Sequence, residues 1–536
     1  MNYIIADHII SPLAIGTDAN LEAILSGQSA LRKYTHRYPM VEPICASLFD
    51  EADFEKLCIE AVKGTKTAAS FLSSKDTLFI LSTTKGNVAF LSHTEDIALI
   101  DSACRIAQSF GNPNTPIVVS NACISGVCAL ITAQRLLEAG MYKNVVVVGC
   151  DVLSTFIVSG FQSFKALSPD PCAPYDAMRK GLNLGEAAAC IIMTSDTKYA
   201  TLSYGSILSG AIHNDANHIS GPSRTGEGSY RCLCDVMGDK EALAFLNVHG
   251  TATPYNDEME AIAINRAGLQ NIPINALKGY YGHTLGAAGV LETIISLHAL
   301  HRGVIIGTKG YNEQGTTQAV SISAETRHTD KKEFIKLLSG FGGCNAAIRV
   351  TIDTPLATIS KPTSAYRTIA DIRVTPEKGG GALLTDLYRA HVGDWPKFFK
   401  MDTLSRLGFV ASELLLNSLQ EERFISRDDR AIIFANRSSC LQNDREYQRT
   451  ITPDNYYPSP ALFVYTLPNI VTGEIAIRNK YLGETSFYVL DNETQLEQFI
   501  QLAFIPSGTK SVIIGWVECT DEDTFDAHLR LIEKIQ

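Results

Sequence analysis

Across residues 1 to about 350, short apolar runs alternate with longer stretches whose apolar residues recur at helical spacing, and this alternation restricts the fold more than any other feature. Thr77 to Leu81, Pro116 to Val119, Val145 to Val148, Ala189 to Met193, Ala244 to Val248 and Ala347 to Ile352 read as strands. Between them, Ile124 to Ala139, Asp257 to Ala267 and Ala287 to His301 read as helices. Such alternation predicts an α/β fold with helices packed on central sheets. A chain of 536 residues that is 45% hydrophobic has room for two or more domains with large cores. Residues 353–366, where PLATISKPTSAY turns to Pro, Ser and Thr, read as a linker into a second compact region at 367–536.

Three segments carry candidate chemistry. In SNACISG an apolar run ends at Val119, polar residues follow, and an apolar helical stretch begins just after Cys123. A thiol at a helix N-terminus meets unpaired N–H groups and the positive end of the helix dipole, so its ordinary pKa of roughly 8.5 is expected to fall by one or more units. Taken alone, Cys123 reads equally well as one of several inert buried thiols. In FLNVHGTATPYND a strand delivers His249 to a loop, and Asn256 or Asp257 is placed to cap the following helix. In YGHTLGAAG, His283 precedes Gly286, Ala287, Ala288 and Gly289, a run small enough to let a helix approach a neighbour closely.

Composition removes several classes. A net charge of −11 and a pI near 5.6 argue against a general nucleic-acid binder. The 13 cysteines are scattered through apolar segments, which fits a reducing cytoplasm, and Cys232 and Cys234 have no second pair at zinc-ligand spacing. The N-terminal segment has no Lys or Arg before its apolar stretch and reads poorly as a signal peptide. No apolar run approaches the ~20 residues of a membrane span.

With these residues in view, residues 1–352 resemble the β-ketoacyl-acyl-carrier-protein synthases, condensing enzymes of the thiolase fold. The resemblance rests on SPLAIGTDAN, NACISG, ALSPDPCAPYDAMRKGLNLGEAAA, VHGTATPYND, LKGYYGHTLGAAG and SGFGGCNAAI, in that order. It implies duplicated βαβαβ halves in a five-layered αβαβα core. Two histidines, instead of a histidine and an asparagine, resemble the elongating type. On this resemblance Cys123 takes the acyl chain from an acyl carrier protein, and His249 and His283 stabilise the enolate formed as malonyl-carrier loses carbon dioxide; the product is longer by two carbons. The resemblance assigns the oxyanion hole to the backbone N–H groups of Cys123 and Phe341. Phe341 and Gly342 form a gating loop, and Thr251, Thr253 and Phe341 line the substrate site. Lys278 orients the His283 region, Glu186 is structural, and no metal or organic cofactor is required. The expected partners are acyl- and malonyl-loaded carriers and a second synthase-like subunit, in a homodimer or heterodimer. The pathway is fatty-acid synthesis or the making of a polyene, aryl-polyene or polyketide-type lipid. A CoA-dependent thiolase-like or initiating acyltransferase, with Cys344 as second thiol, and a non-catalytic partner subunit are the alternatives.

Residues 367–536 resemble a partial second copy of the same fold. FFKMDTLSRLGFVASELLL is similar to the helix that leads into a synthase core, and the stretch ending in ETSFYVL is similar to the one before the nucleophile. Aligning it with NTPIVVSNAC sets Thr485 opposite Thr115 and Glu493 about opposite Cys123, and SVIIGW beside NVVVVGC. The copy is expected to be non-catalytic, resembling a chain-length factor that shapes its neighbour's pocket, or acting as a plain stabilising appendage. Only 122 residues precede the nucleophile, so part of the family's N-terminal cap is expected to be trimmed.

Overall fold

Each apolar run identified above becomes a strand, and the strands fall into two sheets. The computed structural model describes residues 2–38, 43–91, 97–353, 365–376, 380–452 and 458–535. Most of the 353–366 linker, at 354–364, lies outside the described residues. In chain order the strands used below are β1 (Tyr3–Ile10), β2 (Thr77–Ser82), β3 (Ile117–Val119), β4 (Asn144–Asp151), β5 (Ala187–Thr194), β6 (Ser206–Asn214), β7 (Leu243–Asn247), β8 (Pro273–Asn275), β9 (Ser321–Ile322), β10 (Glu333–Gly340), β11 (Cys344–Thr351), β12 (Tyr366–Val374), β13 (Arg430–Asn436), β14 (Thr485–Val489), β15 (Ser511–Cys519) and β16 (Phe525–Lys534). The helices are α1 (Phe54–Gly64), α2 (Leu99–Gln108), α3 (Ser125–Glu138), α4 (Glu227–Val236), α5 (Pro254–Arg266), α6 (Ala288–His301), α7 (Thr403–Asn417), α8 (Ile470–Asn479) and α9 (Glu497–Ala503). β4 outruns the expected Val145–Val148 because it is laddered on both sides, to β2 and to β5.

One strand order recurs three times. The first five strands lie as β1-β5-β4-β2-β3, and the second sheet runs β6-β11-β10-β7-β8 before its edge strand β9. The C-terminal strands lie as β12-β16-β15-β13-β14, the same sequence of first, fifth, fourth, second and third. The third set is not a separate sheet. β14 pairs antiparallel with β3, Tyr488 against Val119 and Val489 against Val118, so one ten-stranded sheet runs through both regions. Identical order on either side of an antiparallel central pair makes the seam an approximate two-fold axis inside a single chain.

α1 and α2 cover one face of the first sheet with a core that includes Leu57, Ala61, Ile100 and Ile106. α3 and α6 fill the space between the two sheets, and α4 and α5 close the outer face of the second, which gives the αβαβα layering. The two central helices meet where Gly126 faces Gly289: a Cβ on Gly289 would stand 2.4 Å from the Val127 nitrogen. The small-residue run after His283 therefore permits the close approach that the sequence suggests. α7 and α8 cover the C-terminal strands as α1 and α2 cover the first five, and α9 lies on the opposite face beside α3. Apolar burial is continuous across the seam, with Ile433, Tyr488, Phe499 and Ile514 in one core with Ile124, Leu130 and Val147.

Candidate active site

The nucleophile segment folds as strand, tight turn and helix. After β3 the chain makes one 3-10 turn, Ala122–Ile124, and enters α3. Ala122 holds φ at +48°, an uncommon conformation for a residue with a Cβ, and it is the backbone twist that lifts Cys123 out of the sheet. Ser125 Oγ accepts the Asn121 N–H at 2.8 Å and donates to Ala122 O at 2.6 Å, locking the turn.

The histidines come from the second sheet. His249 follows β7, and its loop is tied to α5: Glu260 accepts the N–H groups of His249 at 2.6 Å and of Gly250 at 2.9 Å. The expected cap at Asn256 or Asp257 is corrected, because the helix starts earlier, at Pro254, a residue suited to a first helical position where no N–H is needed. Asp257 turns back to accept from Tyr175 N at 2.8 Å and Ala252 N at 3.2 Å. His283 follows the short helix Lys278–Tyr281, with its N–H on Asn183 O at 2.7 Å.

These elements bring the Cys123 Sγ and ring nitrogens of His249 and His283 within 4.8 Å of one another. Outside this trio, no cluster of His, Cys, Asp or Glu among the described residues gathers as metal ligands would. The rings stand edge to face with centroids 5.2 Å apart. Neither ring nitrogen of His283, nor Nδ1 of His249, finds a hydrogen-bond partner among the described residues. Both imidazoles are held well below the usual histidine range, by burial first and then by the positive charges of Lys278 and Lys336. They are therefore uncharged at neutral pH.

The expected fall in the Cys123 pKa is corrected by the pocket. Burial pushes the thiol up to about 12; the Lys278 charge pulls it down and Asp151 adds to the rise. Desolvation of a thiolate outweighs the helix terminus here. Cys123 therefore rests as a thiol at neutral pH.

Lys278 is buried, not a solvated surface lysine, and pairs with Glu292 at 2.9 Å. Glu292 also holds Lys336, on β10, through its other oxygen. The sequence reading passed over Glu292 and Lys336, although each is a charged residue inside an apolar run, VLETII and FIKLL, which is the available signal. Glu186 accepts from Phe49 N and Leu153 N, both at 2.8 Å, as a structural residue would.

A cavity of about 250 Å³ opens onto Cys123, His249 and His283 and is lined by Thr251, Thr253, Phe341, Phe161 and Phe164 among others. The two threonine hydroxyls share a 2.8 Å hydrogen bond. Gly342, expected in the gating loop, does not line it; its N–H is given to Ile219 O at 2.6 Å, and at φ +91° it shapes the turn. Cys344 also lies off the cavity, with its thiol on Phe341 O at 3.2 Å.

The C-terminal region reaches this site, through residues that the sequence reading did not single out. Phe487 N donates to Asn121 Oδ1 at 2.8 Å, beside the nucleophile turn. Asn469 Nδ2 donates to Phe341 O at 2.7 Å, clamping the loop expected to gate. Behind Cys123 a recess of about 20 Å³ is closed by Phe463 and Leu467 together with Phe161, Ile157 and Leu285. Glu493 opens the 3-10 turn after β14, the counterpart of Ala122–Ile124, and its carboxylate faces His528 on β16, not a cavity.

The strand order shared by the two sheets, with helices between and outside them, is the five-layered architecture of a thiolase-like fold, and a cysteine and two histidines converge at one cavity in it. Comparison with known proteins points to the same class. Residues 64–198 match the β-ketoacyl synthase N-terminal domain and residues 204–312 its C-terminal domain. Nodulation protein E of Rhizobium meliloti is 30% identical over 259 residues, which is 46% of this chain and 64% of that protein. The 3-oxoacyl-acyl-carrier-protein synthase 2 of Coxiella burnetii is 29% identical over 264 residues, 45% of this chain and 63% of that one. The match thus spans a little under two thirds of these relatives' length. The two domain matches together take in a little under half of this chain, and through residues 64–312 it is similar to the β-ketoacyl synthases. In fold, the PfaC keto synthase–chain length factor structure superposes on 99% of this chain and 78% of its own, with TM-score 0.77 and 15% identity. The ketosynthase ApeO, solved in complex with its chain length factor ApeC from Xenorhabdus doucetiae, covers 66% of this chain and 98% of its own, with TM-score 0.59 and 22% identity.

Proposed function

We propose that this chain is a 3-oxoacyl-acyl-carrier-protein synthase, and the convergence of Cys123, His249 and His283 within 4.8 Å carries the reading. Cys123 sulfur attacks the carbonyl of an acyl-carrier thioester while its proton passes to a neighbouring uncharged imidazole. The carrier leaves as a thiol and the acyl group stays on Cys123. Malonyl-carrier then enters; as carbon dioxide departs, ring N–H groups of His249 and His283 hold the enolate oxygen. The carbanion attacks the acyl carbonyl and expels Cys123 sulfur, giving a 3-oxoacyl-carrier and a thiolate that takes a proton from solvent to restore the thiol. The N–H groups of Cys123 and Phe341 form the oxyanion hole, where loss of one donor costs ~3 kcal/mol. Thr251 and Thr253 contact the carrier's prosthetic arm along the cavity wall. Cys344, buried off the cavity, speaks against a thiolase-like use of a second cysteine.

The C-terminal region takes the place of a second synthase-like subunit, since the edge of β3 that such a subunit would pair with is already bonded to β14. It shapes the acyl recess through Phe463 and Leu467. We place the protein in the cytoplasm, where a reducing medium suits the free thiols of every described cysteine.

Incubation with acyl- and malonyl-carrier, followed by intact mass spectrometry, tests this. Acylation at Cys123, release of carbon dioxide and a product two carbons longer are expected. Reaction with CoA thioesters alone, or no acylation, overturns the reading.

A further inference from the structure

Lys336 lies mid-strand in β10, laddered between Asn247 of β7 and Ile348 of β11, with its side chain completely buried. A buried ammonium persists only where it is paired. Its Nζ meets Glu292 Oε2 and stands 3.4 Å from Val248 O, the carbonyl just before His249. The other oxygen of Glu292 already holds Lys278 at 2.9 Å. One carboxylate thus serves two ammoniums, and these three ion-paired side chains carry one positive charge in excess beneath the two imidazoles; Glu260, which also faces Lys336, is engaged by the N–H groups of His249 and Gly250.

Charge balance alone asks for one lysine, and Lys278 supplies it. The second is disfavoured where it sits, since burial brings Lys336 down to about 8 despite its contact with Glu292. The charged groups facing it are Glu292 on α6, Lys278 on the short helix and Glu260 on α5; its ladder neighbours Asn247 and Ile348 do not titrate. What its charge reaches beyond them is His249 and His283, both of which it pushes toward the uncharged form.

We propose that Lys336 is a positioning residue for the condensation: with Lys278 it clamps Glu292, and through Val248 O it holds the strand end that presents His249, so that a fixed positive charge faces both imidazoles where the enolate oxygen forms. A fixed positive field below the pocket also favours the negative charge that appears as carbon dioxide leaves, without a proton having to move. This inference rests on the condensing role proposed above.

The test uses the full chain with histidine-selective isotope labelling, in the wild type and in Lys336→Met and Lys336→Arg. Ring ionisation of His249 and His283, assigned with single His→Asn variants, is followed by NMR. Lys336→Met should raise both midpoints by about one pH unit toward the ordinary 6.5, and Lys336→Arg should leave them unchanged. Decarboxylation of malonyl-carrier at neutral pH should fall about tenfold in kcat, with little change in KM, in the methionine variant and recover in the arginine variant. The wild-type rate should decline above about pH 8 as Lys336 loses its proton, and the methionine variant should show no such limb. Unmoved histidine midpoints overturn the proposal. So does a rate loss in step with lost folded protein while the alkaline limb persists, which marks a merely structural lysine. If Lys336→Arg does not fold, the comparison of Lys336→Met with wild type decides alone. A wild type inert toward malonyl-carrier sinks the condensing reading, whereas the histidine titration still judges Lys336.

Discussion

β3 and β14 occupy equivalent rungs on either side of the seam, each at the same place in a repeated strand order and each followed by a 3-10 turn and a helix. On one side the turn presents Cys123, the helix runs 14 residues, and a second sheet with its loops closes over the thiol. On the other the turn presents Glu493 and the helix runs seven residues. The face that a second sheet would cover is there laid with polar contacts: the ion pairs of Arg373 with Asp526 and Arg530 with Glu497, and the hydrogen bonds of His528 with Asp371 and Glu493. Polar groups of that kind are content in water and costly to bury. The C-terminal region has therefore kept the seam and the outer helices of the fold while giving up the pocket. A strand order can be repeated for its edge-pairing value alone, and catalysis requires in addition the loops of a second sheet.

The sharpest break of this contrast is exchange at the equivalent turns. Cys123→Ala should lower condensation by on the order of 10³-fold or more and remove the acyl adduct from the intact mass, whereas Glu493→Ala should leave both unchanged. A measurable role for Glu493 in turnover would end the description of the second turn as silent.

The next effect concerns the seam. Arg135 of α3 and Glu484, just before β14, form a buried pair at 2.8 Å, and Tyr488 reaches Thr132 at 3.1 Å. Glu484→Ala strands a buried guanidinium and should destabilise the chain by about 3–5 kcal/mol in urea unfolding. If the C-terminal strands melt separately with little loss to the remainder, the two regions are independent units and the seam is incidental.

A smaller change should follow at the recess behind Cys123. Phe463→Ala removes the ring that packs against Phe161 at 5.6 Å and closes the space of about 20 Å³. Longer acyl groups should then load Cys123 with a preference shifted by roughly tenfold in competition assays. An unchanged preference would reduce the C-terminal region to a stabilising appendage.

The smallest effect separates the regions by pH. His249 and His283 are held well below 6.5, so between their folded values and 6.5 the unfolded chain binds more protons and stability is lost as pH falls. Each contributes about 1 kcal/mol of loss between pH 6.5 and 5.5. Asp257, lifted by burial to about 7, acts in the opposite sense, gaining stability as it binds a proton on acidification. The effect is therefore read as the difference between wild type and a His283→Asn variant. A parallel pair of stability curves would show that the imidazole is not kept uncharged by the fold.

Much of the catalytic half was legible in the chain because its signals are local. An apolar run ending in SNAC, or VHG after a strand, places a side chain at a strand terminus whatever the tertiary context, and Thr251, Thr253 and Phe341 line the cavity as their neighbours in sequence suggested. That the Gly342 N–H is bound was not legible, because it depends on Ile219, 123 positions away. The Cys123 thiol was misread for the same reason: helix termini are visible in sequence, but desolvation is a property of everything packed around the sulfur.

From the sequence alone come the α/β class and the absence of a cysteine near Glu493, which depend on residue type and short-range pattern, and, through motifs in family order, the candidates Cys123, His249, His283 and Lys278. Tertiary structure alone decided that the C-terminal strands join the first sheet instead of folding beside it, that Asn469 and Phe463 reach the site from over 100 residues away, and that Glu292 sits between two lysines. Pairing between strand edges, and the charge balance of a buried cluster, are set by which surfaces meet. No local pattern along the chain records that.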